Sequence, residues 1–170
     1  MYYLKTEMEL SQSRERVFSF FSDVHNLELI TPRWLHFKVL TPGHIVIDEG
    51  TLIDYRLWIR GAPIRWQSII TLWDPPYRFV DEQVRGPYQH WIHEHYFREK
   101  KVGTEKMDRL QSHRLLTSVV DRVEYMHFGG GLFNRWVVAP DVERIFSYRK
   151  SKLQSVLNDN VSVQRGGVYV

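Results

Sequence analysis

The chain has 170 residues, 43% hydrophobic, 25% charged and 14% aromatic, with a formal net charge of +3. That length suits one domain with a sizeable core. The lack of cysteine excludes disulfides, thiolate metal sites and cysteine nucleophiles, and 23 basic residues scattered among 20 acidic ones form no nucleic-acid stripe.

MYYLKTEMEL carries Glu7 and Glu9 where a secretory signal has its apolar run, and no apolar stretch approaches the roughly 20 residues of a membrane-spanning helix. A cytoplasmic protein without stable membrane insertion is expected. Residues 2–10 alternate in part and predict a first strand leading to Ser11 and Ser13, either of which can cap a helix. In SRERVFSFFSDV, Val17, Phe20, Phe21 and Val24 recur at helical spacing. A second short helix through NLELI has to stop at Thr31-Pro32, because the residue before proline is pushed out of helical geometry.

From residue 35 to about 127 the pattern becomes strands separated by turns. LHFKVLT ends at Pro42-Gly43. TLIDYRLWIR sets Ile53, Tyr55, Leu57 and Ile59 on one face and Asp54, Arg56, Trp58 and Arg60 on the other. Gly61-Ala62-Pro63, Asp74-Pro75-Pro76 and Gly86-Pro87 then introduce IRWQSIITLW, YRFVDEQV and YQHWIHEHYFREK, and LLTSVVDRVEYMHF closes the series. The polar segment 104–114 fits either hairpin arms or a loop. Val142, Ile145, Phe146, Arg149, Leu153 and Val156 share one stripe of a long helix that starts or kinks near Pro140. Residues 159–170 are expected to be a flexible tail on a single domain of residues 1–158. A strand, two short helices, about six antiparallel strands and one long helix make an α+β domain whose curved sheet covers that helix, with a cleft between them.

His93 and His95 share a strand face with Trp91 and Phe97, while His90 points the other way. Two such imidazoles can hold zinc, iron or copper if a third ligand arrives, Asp121 and Glu124 being candidates. Their expected role is nevertheless that of polar pocket groups, with no metal and no cofactor. Asp121 has the parity of Val119, Val123 and Tyr125, and an inward carboxylate needs a partner such as Arg56, His93 or His95. The catalytic candidates are therefore His93, His95 and Asp121. The expected ligand-binding set is these three with Arg56, Trp66, Trp91, Phe97, Tyr125 and Phe146. The Gly129-Gly130-Gly131 run lacks the spacing and lysine of a phosphate loop and reads as a hinge at the pocket mouth.

The series RGAPIRWQSIITLWDPPYRFVDEQVRGPYQHWIHEHYF, then DRVEY, then VERIFSYRKSKL, resembles the SRPBCC ligand-binding proteins of the START and Bet v 1-like superfamily, especially small bacterial cyclase/dehydrase-like members. The resemblance spans residues 1 to about 158 and implies a helix-grip fold, a seven-stranded antiparallel sheet gripping a C-terminal helix around a hydrophobic cavity. The sequence departs from that pattern at the polar segment 104–114 and at Pro140. The expected activity is binding of a hydrophobic small molecule, lipid-like or aromatic, by a monomer or homodimer. The alternatives are a cyclase or dehydratase using a pocket His/Asp pair, and a regulatory interaction module.

Overall fold

A computed structural model describes residues 1–102 and 114–163. Strand β1 (Tyr2–Leu10) leads into α1 (Arg14–Phe21), where Ser13 accepts a hydrogen bond from the Arg16 amide and Glu15 lies in the first turn. Helix α2 (Asn26–Ile30) stops before Pro32, and a 3₁₀ turn (Arg33–Leu35) follows. The strands are β2 (Lys38–Val39), β3 (Leu52–Ile59), β4 (Ala62–Asp74), β5 (Arg78–Arg85), β6 (His90–Val102) and β7 (Arg114–Met126). Of LHFKVLT only two residues pair as a strand.

The seven strands form one antiparallel sheet in the order β1-β7-β6-β5-β4-β3-β2, so β1 closes on β7. Register shifts between Gln67 and Ser68 and between Ile70 and Leu72 bend β4 and add to the curvature. The described chain then passes through α3 (Gly130–Phe133), a π turn (Asn134–Val138) and α4 (Ala139–Val163). The wide turn sits immediately before Pro140, where an α ladder would lose a bond for want of an N–H and meet the proline ring. Pro140 thus lies within the first turn of α4. The helix also runs past the boundary expected at residue 158, and residues 103–113, which hold nearly all of the polar segment 104–114, and 164–170 lie outside the described residues.

Alternation decides what the sheet buries. Ile53, Tyr55 and Leu57 face inward on β3, and Met8 and Leu10 face inward on β1. Helix α4 crosses this concave face, with Val142, Phe146, Leu153 and Leu157 buried against it. Its far end is tied to the turn before α1, where Asn158 Oδ1 accepts from the Ser11 amide at 2.9 Å and Gln12 Nε2 donates to the Leu157 carbonyl at 2.6 Å. The apolar interior divides into a large cluster under α1 and α2 and a smaller one formed by Val123, Tyr125, Val142 and Phe146. No described helix is long and apolar enough to cross a membrane.

Candidate functional site

Strand register brings four ionisable side chains together between the two apolar clusters. Asp81 on β5 is paired with His93 on β6, and His95 is paired with Asp121 on β7. All four point inward, because each shares parity with an apolar neighbour: Asp81 with Phe79, the histidines with Phe97, and Asp121 with Val119 and Val123. His93 is 4% exposed, His95 3% and Asp121 3%.

Each ring meets both carboxylates. His93 Nε2 donates to Asp121 Oδ1 at 3.3 Å, and His93 Nδ1 lies 3.5 Å from Asp81 Oδ2. His95 Nε2 donates to Asp81 Oδ2 at 3.3 Å. His95 Nδ1 lies 2.8 Å from Asp121 Oδ1 but off the line of a hydrogen bond, so that contact is electrostatic. Thr6 Oγ1 donates to Asp121 Oδ2 at 3.4 Å from β1. Aromatic rings pack around the histidines: Phe79 stacks on His95 with centroids 4.1 Å apart, Phe21 meets His95 edge-on, and Phe146 meets His93 edge-on at 5.3 Å.

These surroundings separate the two histidines. Burial and the neighbouring His95 hold the His93 imidazolium below the ordinary histidine value, against the pull of Asp121 and Asp81. Burial also works against charge on His95, but the carboxylates of Asp121 and Asp81 outweigh it and raise its pKa. For the two aspartates burial favours the neutral form and the histidines outweigh it, so Asp81 is held below, and Asp121 well below, the usual carboxylate value. These directions keep both carboxyl groups ionised and make His95, rather than His93, the ring that holds a proton more readily.

Asp81, His93 and His95 form the polar end of an internal cavity of about 180 Å³, while Asp121 lies behind the rings. Its other walls include Phe21, Tyr55, Ile70, Trp66, Trp91 and Phe146. Ser68, 1% exposed, accepts from Trp66 Nε1 at 3.0 Å, and burial, reinforced by the Asp81 charge, raises the Tyr55 pKa well above the usual tyrosine value. From α4 Arg149 faces the same space, its guanidinium carbon 5.5 Å from the Phe146 ring centroid and its buried Nε without a hydrogen-bond partner. A second cavity of about 620 Å³ adjoins the first, and Leu35, Ile59, Tyr88 and Ile145 line both. Trp34 and Trp58 stand on the outer cavity's rim, and Arg60 pairs with Asp141 there at 2.7 Å.

The expected ligand residues therefore separate into three groups. Trp66, Trp91, His93, His95 and Phe146 line the inner cavity. Phe97, Tyr125 and Asp121 are buried in the layer behind it. Arg56 is a correction: it sits on the exposed face of β3 opposite Lys38 and Arg65, as strand alternation with inward Tyr55 and Leu57 requires. Asp81 and Arg149 are cavity residues that the expected set lacked. Their signals were the parity of Asp81 with Phe79 and the position of Arg149 on the apolar stripe of α4.

No protein-family model matches the sequence, and no curated protein does. Solved structures do. An aromatase/cyclase from a Streptomyces species is 15% identical, with a TM-score of 0.68 over 98% of this chain and 99% of that one. The major latex-like protein 151 of Panax ginseng is 10% identical with a TM-score of 0.62, over 91% and 96% of the two chains. This chain has the SRPBCC-like helix-grip fold. Protein CV1439 from Chromobacterium violaceum is 15% identical with a TM-score of 0.63, over 91% and 96% of the two chains. At these identities the likeness establishes the fold, and the activity has to be argued from the helix-grip cavity itself.

Proposed function

We propose that the protein binds a hydrophobic small molecule with one polar group, in the cytoplasm, its apolar body between sheet and α4 and its polar group at the Asp81–His93–His95 end. The observation that carries this reading is a mainly aromatic and aliphatic cavity whose charged lining comes from Asp81, His93, His95 and Arg149, the buried Nε of the last having no hydrogen-bond partner. The inner cavity slightly exceeds the roughly 150 Å³ that admits a benzene ring. A longer guest reaches the outer cavity once the shared wall of Leu35, Ile59, Tyr88 and Ile145 parts. Lipid-like and polycyclic molecules both have this form.

A homologous series of straight-chain carboxylates tests the reading by displacement of a fluorescent apolar probe. Each added methylene that enters the cavity contributes about 0.8 kcal/mol, or roughly fourfold in affinity, until the space is filled. Affinity independent of chain length, or unchanged when Ile70→Phe fills the inner wall, would count against it.

A second reading has its own support, the two buried histidines whose surroundings push them toward opposite protonation states. Such a division marks acid and base partners. In a cyclase or dehydratase, His93, the ring that holds a proton less readily, would accept one through Nδ1 and His95 would return one, with Asp121 holding the His93 tautomer. His95→Gln separates the readings: retained binding with a large rate loss supports catalysis, and an unaltered conversion of bound guest supports neither role for His95.

A further inference from the structure

One donor atom from each of Asp81, His93 and His95 lies within 4.8 Å of the other two, an arrangement that holding an apolar guest does not require. We propose that these three residues form a site for a divalent metal ion of the zinc class, with Asp121 as the carboxylate behind both rings. From the sequence no metal is expected, and the candidates for a third ligand are Asp121 and Glu124. The fold instead supplies Asp81 and turns Glu124 outward to His90, 3.4 Å away.

The two spacings from Asp81 to the histidine nitrogens fit the corners of a tetrahedral ion. Asp81 Oδ2 lies 3.5 Å from His93 Nδ1 and 3.3 Å from His95 Nε2. Zinc bonds of about 2.0–2.1 Å place the corners of a tetrahedron roughly 3.3–3.4 Å apart, whereas the adjacent corners of an octahedron of that bond length are only about 2.9 Å apart. The donor set of two nitrogens and one carboxylate oxygen suits zinc or ferrous iron, not the all-oxygen preference of magnesium or calcium.

The remaining nitrogen of each ring faces the same atom. His93 Nε2 and His95 Nδ1 lie 3.3 and 2.8 Å from Asp121 Oδ1, so one carboxylate orients both rings from the side away from Asp81. The hydrogen bond from His93 Nε2 is the kind by which outer carboxylates hold metal-bound histidines and raise the basicity of the ligating nitrogen, while the contact to His95 Nδ1 is electrostatic. Charge agrees as well: with any His95 proton released on binding, two carboxylates and two neutral rings leave two negative charges that one divalent ion cancels. The three donors all line the cavity, so the fourth corner opens toward the guest. There the ion would polarise a carbonyl or acidify a bound water, with Arg149 lining the same cavity to meet the negative charge. In that form His93 and His95 are ligands, and the acid–base roles pass to the open position.

The test uses untagged full-length protein, stripped with a chelator and titrated with zinc chloride by calorimetry, with bound metal measured by mass spectrometry. The wild type is expected to take one zinc per chain. Asp81→Asn and His93→Gln are expected to weaken binding at least tenfold, and Asp121→Asn about 10- to 100-fold with the stoichiometry kept. His90→Gln, on the outer face, is expected to match the wild type. Zinc uptake well below one per chain in the wild type, or wild-type affinity in Asp81→Asn, would overturn the site. Cobalt(II) added to the wild type needs no variant to fold: a four-coordinate visible spectrum supports the geometry, and an octahedral one overturns it. The carboxylate series, run on metal-free protein, reads the apolar-guest proposal separately.

Discussion

Asp121→Asn keeps the shape of a buried carboxylate and removes its charge. In the wild type that charge lies 2.8 Å from His95 Nδ1 and 3.3 Å from His93 Nε2, with both partners almost fully buried. The variant leaves Asp81 as the one carboxylate beside His95 among the described residues and directs an amide toward nitrogens that need an acceptor. Removing one member of a buried ionic group typically costs about 3–5 kcal/mol, because the rest remains buried and uncompensated. For a domain of this size that is a fall in Tm of roughly 6–20 °C, at about 2–4 °C per kcal/mol. Urea and thermal unfolding near neutral pH measure it, with exposed Arg122→Gln as the control. A double-mutant cycle with His95→Gln should show the two losses overlapping rather than adding. A loss under about 1 kcal/mol, or strict additivity, would refute the electrostatic account of the centre.

The pH dependence of stability follows from the same four groups. Asp81 and Asp121, held below the carboxylate range, contribute stability present above that range and lost as pH falls through their folded values. His95, held above its ordinary value, contributes stability fully present below about pH 6.5 and lost as pH rises through its folded value. His93, held below its ordinary value, opposes folding increasingly as pH drops below about 6.5. Urea midpoints are therefore expected to peak in mildly acid to neutral solution and decline toward pH 9, and a midpoint still climbing from pH 7 to 9 would contradict this. Arg149→Met removes an orphaned Nε, so stability is expected to change by less than about 1 kcal/mol or to rise, while the preference for a carboxylate over the matching alcohol disappears in displacement assays. Phe146→Ala opens the wall beside His93 and is expected to cost about 3–5 kcal/mol by chemical denaturation.

Most of the architecture was legible because sheet and helix periodicities differ. Alternation in TLIDYRLWIR and HWIHEHYF identified inward faces, and the stripe from Val142 to Leu153 identified the gripped helix. The same rule carried Asp121 inward and removed His90 from the histidine pair. Arg56 was misassigned by a charge-partner argument that strand parity already opposed. Asp81 was harder to find, because its importance rests on the register between β5 and β6, and register is a long-range property. Arg149 was visible only as a charge on an apolar stripe, where a stem covering apolar surface and a buried head give the same pattern.

The wall between the two cavities is made of side chains from four different places: Leu35 from the 3₁₀ turn, Ile59 from β3, Tyr88 from the connection into β6 and Ile145 from α4. The chambers share side chains rather than a stretch of backbone, so rotamer changes are the expected way to join them. Guest length is thus a trait separable from folding: one exchange at Leu35 or Ile145 can lengthen or shorten the accepted molecule while the ionic centre and the sheet stay as they are. A protein built this way can drift toward new guests in small, reversible steps.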